Sequence, residues 1–188
     1  MLVDVYSALD GHIAGFWSKN IQDTLTWDKG LILDRIPGFH VRRVTPNLAT
    51  EPWVYVSIGA STTSDKPGNE YFIMSLAESV RHVETLAMVA HFQSFEAHAL
   101  SIGDTVNIGH SWLGESPFDH LVVTLPYPYG PNLEISPEAA GNARFLWLVP
   151  ISKAEAEFIR RSGFGRFEDL IEESEVDVLD PHRRVLVK

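Results

Sequence analysis

The chain has 188 residues, 45% of them apolar and 21% charged, which suits one globular domain with a sizeable core. Fifteen lysine and arginine residues against 25 aspartate and glutamate residues give a formal charge of −10 and a pI of about 5.2, a balance that disfavours nucleic acid and anionic membrane and suits solubility or a basic partner. Cysteine is absent, which excludes disulfides and a thiol nucleophile and leaves a zinc site only His and carboxylate ligands.

Residues 1–29 read as a short helical or irregular lead-in, with Ile13, Phe16 and Trp17 at helical spacing and Ile21 four residues on. Met1 to Asp10 carries Asp4 and Asp10 and no basic segment, so it does not resemble a secretory signal. Nothing approaches the roughly 18 consecutive apolar residues of a transmembrane helix, and the expected location is the cytoplasm. From Gly30 the texture turns strand-like, which sets residues 30–188 apart as the body of one domain. Leu31-Ile32-Leu33 leads to the turn pair Pro37-Gly38, then to a strand over Phe39 to Val44. Trp53 to Ile58, rich in β-branched and aromatic residues, is the next strand. Ser61 to Asn69, with Asp65-Lys66-Pro67-Gly68, reads as a loop, and Tyr71 to Met74 as a short buried strand.

Ser75-Leu76-Ala77-Glu78 fits a capping box and predicts a helix over Glu78 to Phe95, with Val83, Leu86, Ala87 and Ala90 as its apolar stripe. Gly103 opens a second β region with a strand over Thr105 to Ile108. Leu121 to Leu125 and Phe145 to Val149 are nearly continuous apolar runs, the pattern of strands buried on both faces. A second capping box, Ser152-Lys153-Ala154-Glu155, starts a helix carrying Ala156, Phe158 and Ile159. Gly163 and Gly165 break it, and a helical segment follows from about Phe167 to Glu172. The strict alternation of strand and helix is missing, so the fold class is α+β: a mixed, mostly antiparallel sheet packed with two or three main helices.

Reactive chemistry is hard to find. Gly59-Ala60-Ser61-Thr62-Thr63 and Gly109-His110-Ser111-Trp112-Leu113 both lack the closing glycine of a nucleophile elbow. The eight histidines include no His-Glu-x-x-His, and His82 and His91 are nine residues apart, so no metal is expected. Gly109-x-x-x-x-Gly114 lacks the Lys of a phosphate-binding loop, and no cofactor is expected. Arg42-Arg43 and Arg183-Arg184 are isolated basic pairs rather than a nucleic-acid surface. Two features do suit recognition. Glu168 to Asp180 holds seven carboxylates and no Lys or Arg, either a solvated helix face or a docking surface for a basic partner. Asp119-His120 leads a buried strand into Pro126-Tyr127-Pro128-Tyr129-Gly130-Pro131, a stiff segment whose tyrosines either present contact area or fold back on the core.

These pieces in this order resemble the Suppressor-of-fused-like domain, in its stand-alone bacterial form. The likeness is carried by Arg81-His82-Val83-Glu84 with Leu86 to Ala90, Gly103-Asp104-Thr105-Val106-Asn107-Ile108-Gly109, and Asp119-His120-Leu121 through Leu125 to Gly130. It continues in Phe145 to Ile151 with Glu155 and Phe158, and closes with Leu179-Asp180-Pro181-x-Arg183. The resemblance implies a mixed α/β domain without catalytic activity that works by binding other proteins, in bacteria as an immunity protein that neutralises a toxin. It also implies capture of an extended peptide by strand addition, with Gly103-Asp104-Thr105-Val106 and the helix aromatic Phe92 in the gripping region. The expected partner-binding residues are therefore Phe92, Asp104, Asp119, His120, Tyr127 and Tyr129, with a protein partner and no nucleic acid or membrane. The alternatives are a hydrolase using Ser111 or Ser116 with His110 or His120 and Asp119, and a scaffold subunit of a larger assembly.

Overall fold

A strand that is apolar at every position must be covered on both of its faces, and this requirement organises the chain. The computed structural model describes residues 2–63 and 67–187. A seven-stranded sheet runs β1 (Gln22–Leu25), β2 (His40–Val44), β3 (Trp53–Ile58), β4 (Asn69–Ser75), β7 (Arg144–Ile151), β6 (His120–Thr124), β5 (Thr105–Asn107). All neighbours are antiparallel except the central β4–β7 pair, whose parallel arrangement needs the long crossover from Leu76 to Ala143. Alternation along the strands feeds two cores. Tyr55, Tyr71, Ile73, Leu121, Val123, Leu146 and Leu148 face one side; Val54, Val56, Phe72, Met74, Val122, Trp147 and Val149 face the other.

The first side is covered by the four-residue helix α2 (Ile32–Arg35) and by α3 (Arg81–Gln93), whose Val83, Leu86, Ala87 and Ala90 are buried as the apolar stripe requires. The second is covered at one end by α1 (Leu2–Phe16), through Leu9 and Ile13, with Trp17 just beyond it. A single turn, α4 (Pro131–Glu134), lies beside α1, and His12 Nε2 meets the Leu133 carbonyl at 3.1 Å. At the other end of this face sit α5 (Lys153–Ser162) and α6 (Phe164–Ser174). Gly59, at φ +108°, lets α1 come close, since a Cβ there would stand 2.5 Å from the Tyr6 ring. The result is the expected α+β domain with its mostly antiparallel sheet.

Four local expectations differ. Gln22–Leu25 is an edge strand that polar residues hid. Leu31-Ile32-Leu33 contributes to a helical turn rather than a strand. The first capping box does not form: Ser75 ends β4, its Oγ donates to the Ala77 carbonyl at 2.7 Å, and Glu78 pairs with Arg43 instead. Helix α3 then starts at Arg81 without a side-chain cap. In the expected loop, 60–63 form a 3-10 turn, while Asp65 and Lys66 lie outside the described residues. The second capping box does form: Glu155 N donates to Ser152 Oγ at 3.2 Å and Ser152 N to Glu155 Oε2 at 2.8 Å.

Among the described residues two carboxylates have no exposed surface. Glu70 accepts hydrogen bonds from Ser57 Oγ, Ser61 Oγ and the amides of Gly59, Ala60 and Ser61, at 2.5 to 3.2 Å, and so fixes the turn after β3. Burial raises its pKa and those donors oppose the rise. Glu155 is paired with Arg183 at 2.8 and 3.0 Å. Removing one partner of such a pair strands a buried charge. Arg183→Met is expected to lower the unfolding free energy by about 3–5 kcal/mol, read from urea denaturation; a loss under about 1 kcal/mol would mean that Glu155 finds other compensation.

His82 is buried among Tyr55 and Trp112, with ring centroids at 5.1 and 5.6 Å. Burial, aided by nearby His110, lowers its pKa to about 4 from an ordinary 6.5. The unfolded chain therefore binds a proton that the folded chain refuses between these values. Stability from a neutral His82 is complete above 6.5 and is lost as the pH falls toward 4. His82→Phe should remove this loss, so that the variant gains on the wild type by about 3 kcal/mol between pH 7 and pH 4. Paired urea titrations at the two pH values measure it, and parallel curves would place the acid sensitivity elsewhere.

Candidate functional site

Among the described residues β5 pairs only with β6, which leaves one side of its backbone without a strand. Its start is a β-bulge. Gly103 N donates to the Val123 carbonyl at 2.8 Å and Val123 N to the Asp104 carbonyl at 2.9 Å, so two residues oppose one. Gly103 takes φ +90°, and a Cβ there would lie 3.0 Å from Phe164 Cβ. The Asp104 carboxylate accepts from Ser101 N at 2.7 Å while Asp104 N donates to the Ser101 carbonyl at 3.0 Å, closing the turn that delivers the chain to the edge.

Beside this bulge lies a groove of about 640 Å³. Phe92 reaches it from α3 and stacks on His98, with centroids 4.4 Å apart and planes 4° off parallel. Asp104 and Thr105 form its strand side; Ile159, Arg160 and Phe164, from α5 and α6, close it from the second face of the sheet. The structure thus brings Phe92 and Asp104 together. It does not bring the other expected residues to them. Asp119 and His120 pair at 2.7 Å at the opposite end of the β5–β6 ladder, where His120 faces Asn107. Tyr129 folds back, packing edge-on against Phe16 and Trp17 at 5.7 and 5.1 Å, and its phenol is pushed up to about 12, by burial first and then by Glu51. Tyr127 does the reverse: it is 58% exposed and its hydroxyl donates to Glu168.

The hydroxyls of the hydrolase alternative are occupied within one turn. Ser111 Oγ donates to the Ser116 carbonyl at 2.6 Å, Ser116 Oγ accepts from Phe118 N at 3.2 Å, and His110 Nδ1 lies 2.8 Å from the Ser111 carbonyl. Neither serine meets a histidine ring among the described residues. Groove residues that the sequence did not point to include His98, and on the helix side Arg160 and Phe164. The only local signal for the latter two is Gly163, whose φ of +90° ends α5 and starts α6.

The family model described as Suppressor of fused protein (SUFU) matches residues 37–184. No curated protein sequence matches the chain. Among solved structures, a homolog of suppressor of fused from Neisseria gonorrhoeae FA 1090 is 37% identical, covering 99% of this chain and 98% of its own, with a TM-score of 0.89. Two others share the fold at low identity. A chain of the Sufu–Fu complex is 15% identical, with a TM-score of 0.66 over 96% of this chain and 91% of that one. Drosophila Suppressor of Fused is 16% identical, with a TM-score of 0.67 over 95% of this chain, and this chain spans 50% of its length.

The two tyrosines of the proline-rich segment therefore carry opposite expectations. Tyr129→Ala should cost about 3 kcal/mol of stability, because it empties the space between α1 and β4. Tyr127→Ala should change stability by less than about 0.5 kcal/mol. Thermal unfolding of both variants separates these roles; equal losses would assign both rings to packing.

Proposed function

The chain belongs to the suppressor of fused family, and from this premise we propose that it is a non-enzymatic protein-binding domain that captures an extended segment of its partner along β5. The observation that carries the reading is the open side of β5 beside the groove that unites Phe92 with Asp104. Strand addition gives main-chain hydrogen bonds, and the flanking pockets then select side chains. A fold relative that is held in a complex with Fu supports a protein as the class of ligand. On this reading residues 30–188 are the binding unit, with residues 1–29 bracing it through Leu9, Ile13 and Trp17.

The narrower reading is an immunity protein that neutralises a toxin by direct binding in the cytoplasm. Similarity to a bacterial chain supports a bacterial setting. The charge of −10 would speed encounter with a basic toxin, since complementary fields act mainly on association rates. Asp119, His120 and Tyr127 are the outer contacts of the same partner, and Tyr129 acts only by holding its loop.

Affinity capture with the tagged full chain from its host lysate, followed by mass spectrometry, tests the reading. One stoichiometric protein is expected, retained about tenfold less by Phe92→Ala, and a serine-reactive fluorophosphonate should leave the chain unlabelled. An empty capture, or labelling at Ser111 or Ser116, would overturn it.

A further inference from the structure

A second cavity, of about 700 Å³, lies between the sheet, α6 and the returning tail. Its floor is apolar: Val122 of β6 and Trp147 and Val149 of β7, all at least nine-tenths buried. Ile171 and Phe164 of α6 and Val178 of the tail complete an aliphatic and aromatic sleeve. The mouth is different. Glu168, Asp169, Glu172 and Asp177 line it, with no lysine or arginine among the lining residues, and Tyr127 stands at the rim with its hydroxyl on Glu168. Of these carboxylates, Asp169 is engaged by the exposed Arg166 at 3.4 Å and Asp177 takes the Leu179 amide at 2.9 Å; Glu172 has no ion pair among the described residues.

Helix stability does not explain this charge. The C-terminal end of a helix carries partial negative charge and favours lysine or arginine, yet α6 has no basic residue in its last turn. Glu172 and Glu173 stand there and Glu175 follows as the cap. The dipole and the carboxylates therefore add to one negative field over an apolar hole. Trp147 also gives the floor a reporter: it lines the cavity, while its indole Nε1–H is buried without a hydrogen-bond partner among the described residues and so lies behind the cavity wall rather than on it.

We propose that this cavity receives an arginine side chain presented by a basic segment of the protein partner, its stem lying in the apolar sleeve and its guanidinium at the Glu168–Glu172 rim. Long cationic side chains bury their methylenes and keep the charged head at a polar boundary, which is the layout of this cavity. Arginine fits better than lysine, because its plane can lie against the aromatic rings while its fork of donors reaches two carboxylates. The inference rests on the protein-binding reading but uses a different surface from the β5 groove; only the Phe164 ring lines both.

The test uses the ¹⁵N-labelled full chain and a capped peptide of alternating alanine and arginine, with its citrulline counterpart as the uncharged match. Trp147→Phe identifies the Trp147 indole signal. The expected result is a saturable shift of that signal by the arginine peptide, about tenfold weaker with citrulline and about tenfold weaker for Glu168→Gln combined with Glu172→Gln. Both glutamates are at least partly exposed, so this variant should keep the other indole signals in place. Phe92→Ala should bind the peptide as the wild type does, which separates this cavity from the β5 groove. Three results would each overturn the proposal: no shift at millimolar peptide, equal binding of citrulline, or unchanged binding by the double glutamine variant.

Discussion

One buried ion pair holds together the parts of the chain that shape the β5 groove and the acidic cavity. Glu155 has no exposed surface, and a lone carboxylate in that position would be expelled or protonated. It is kept by Arg183, by the Ser152 amide at the start of α5 and by the Leu186 amide of the tail. Arg183 in turn donates to the Pro150 carbonyl at 3.1 Å and lies 4.0 Å from the centre of the Phe118 ring. A single charge pair therefore fixes the end of β7, the direction of α5, the tail and the turn that precedes β6. Both proposed surfaces inherit their shape from it. The β5 groove is closed by Ile159 and Arg160 of α5, and the acidic cavity is walled by the tail at Val176, Asp177 and Val178.

The sheet supplies the rest of the geometry through its order rather than its size. Placing the parallel β4–β7 pair in the middle sends the crossover through α3 and then through β5 and β6, so a late-arriving three-residue strand ends at the edge. Phe92 and Asp104 are joined by that path. The helix ends near the edge that the crossover is about to build, and the bulge at Gly103 turns the chain into it. A bulge also twists an edge away from flat pairing, so β5 is a short, bent edge instead of an open invitation to aggregation.

Much of this was legible because it depends on patterns of apolar residues. Leu121 to Leu125 and Phe145 to Val149 read as strands buried on two faces, Trp53–Ile58 and Tyr71 to Met74 as strands by their β-branched and aromatic content, and each forms a strand, β6 ending one residue early at Thr124. The polar Gln22–Leu25 was not legible, since an edge strand held by one neighbour needs no apolar signature. The two capping boxes make the contrast plainest. Ser152 and Glu155 satisfy the start of α5, whereas Ser75 belongs to the β4 ladder and Glu78 is drawn to Arg43, which also holds Asp23 at 2.7 Å. The motif states what the two side chains can do, and tertiary partners decide whether they do it. In the same way Tyr127 and Tyr129 share one stiff segment, but only Tyr129 has Phe16 and Trp17 waiting for it. That aromatic pocket comes from the lead-in helix, about a hundred residues earlier, and no local reading could supply it.

Phe164 is where the two surfaces meet. It follows Gly163, whose positive φ turns the chain sharply from α5 into α6. It lines both the β5 groove and the acidic cavity, and its Cβ is the atom that crowds any side chain at Gly103. A partner segment added along β5 would thus approach the same residue as the proposed cationic side chain. Packed rings move between discrete arrangements rather than yielding continuously. The glycine at the bulge is then explained by contact as well as by backbone angle. A side chain there would need Phe164 to give by a few tenths of an ångström, on top of the strain of a positive φ.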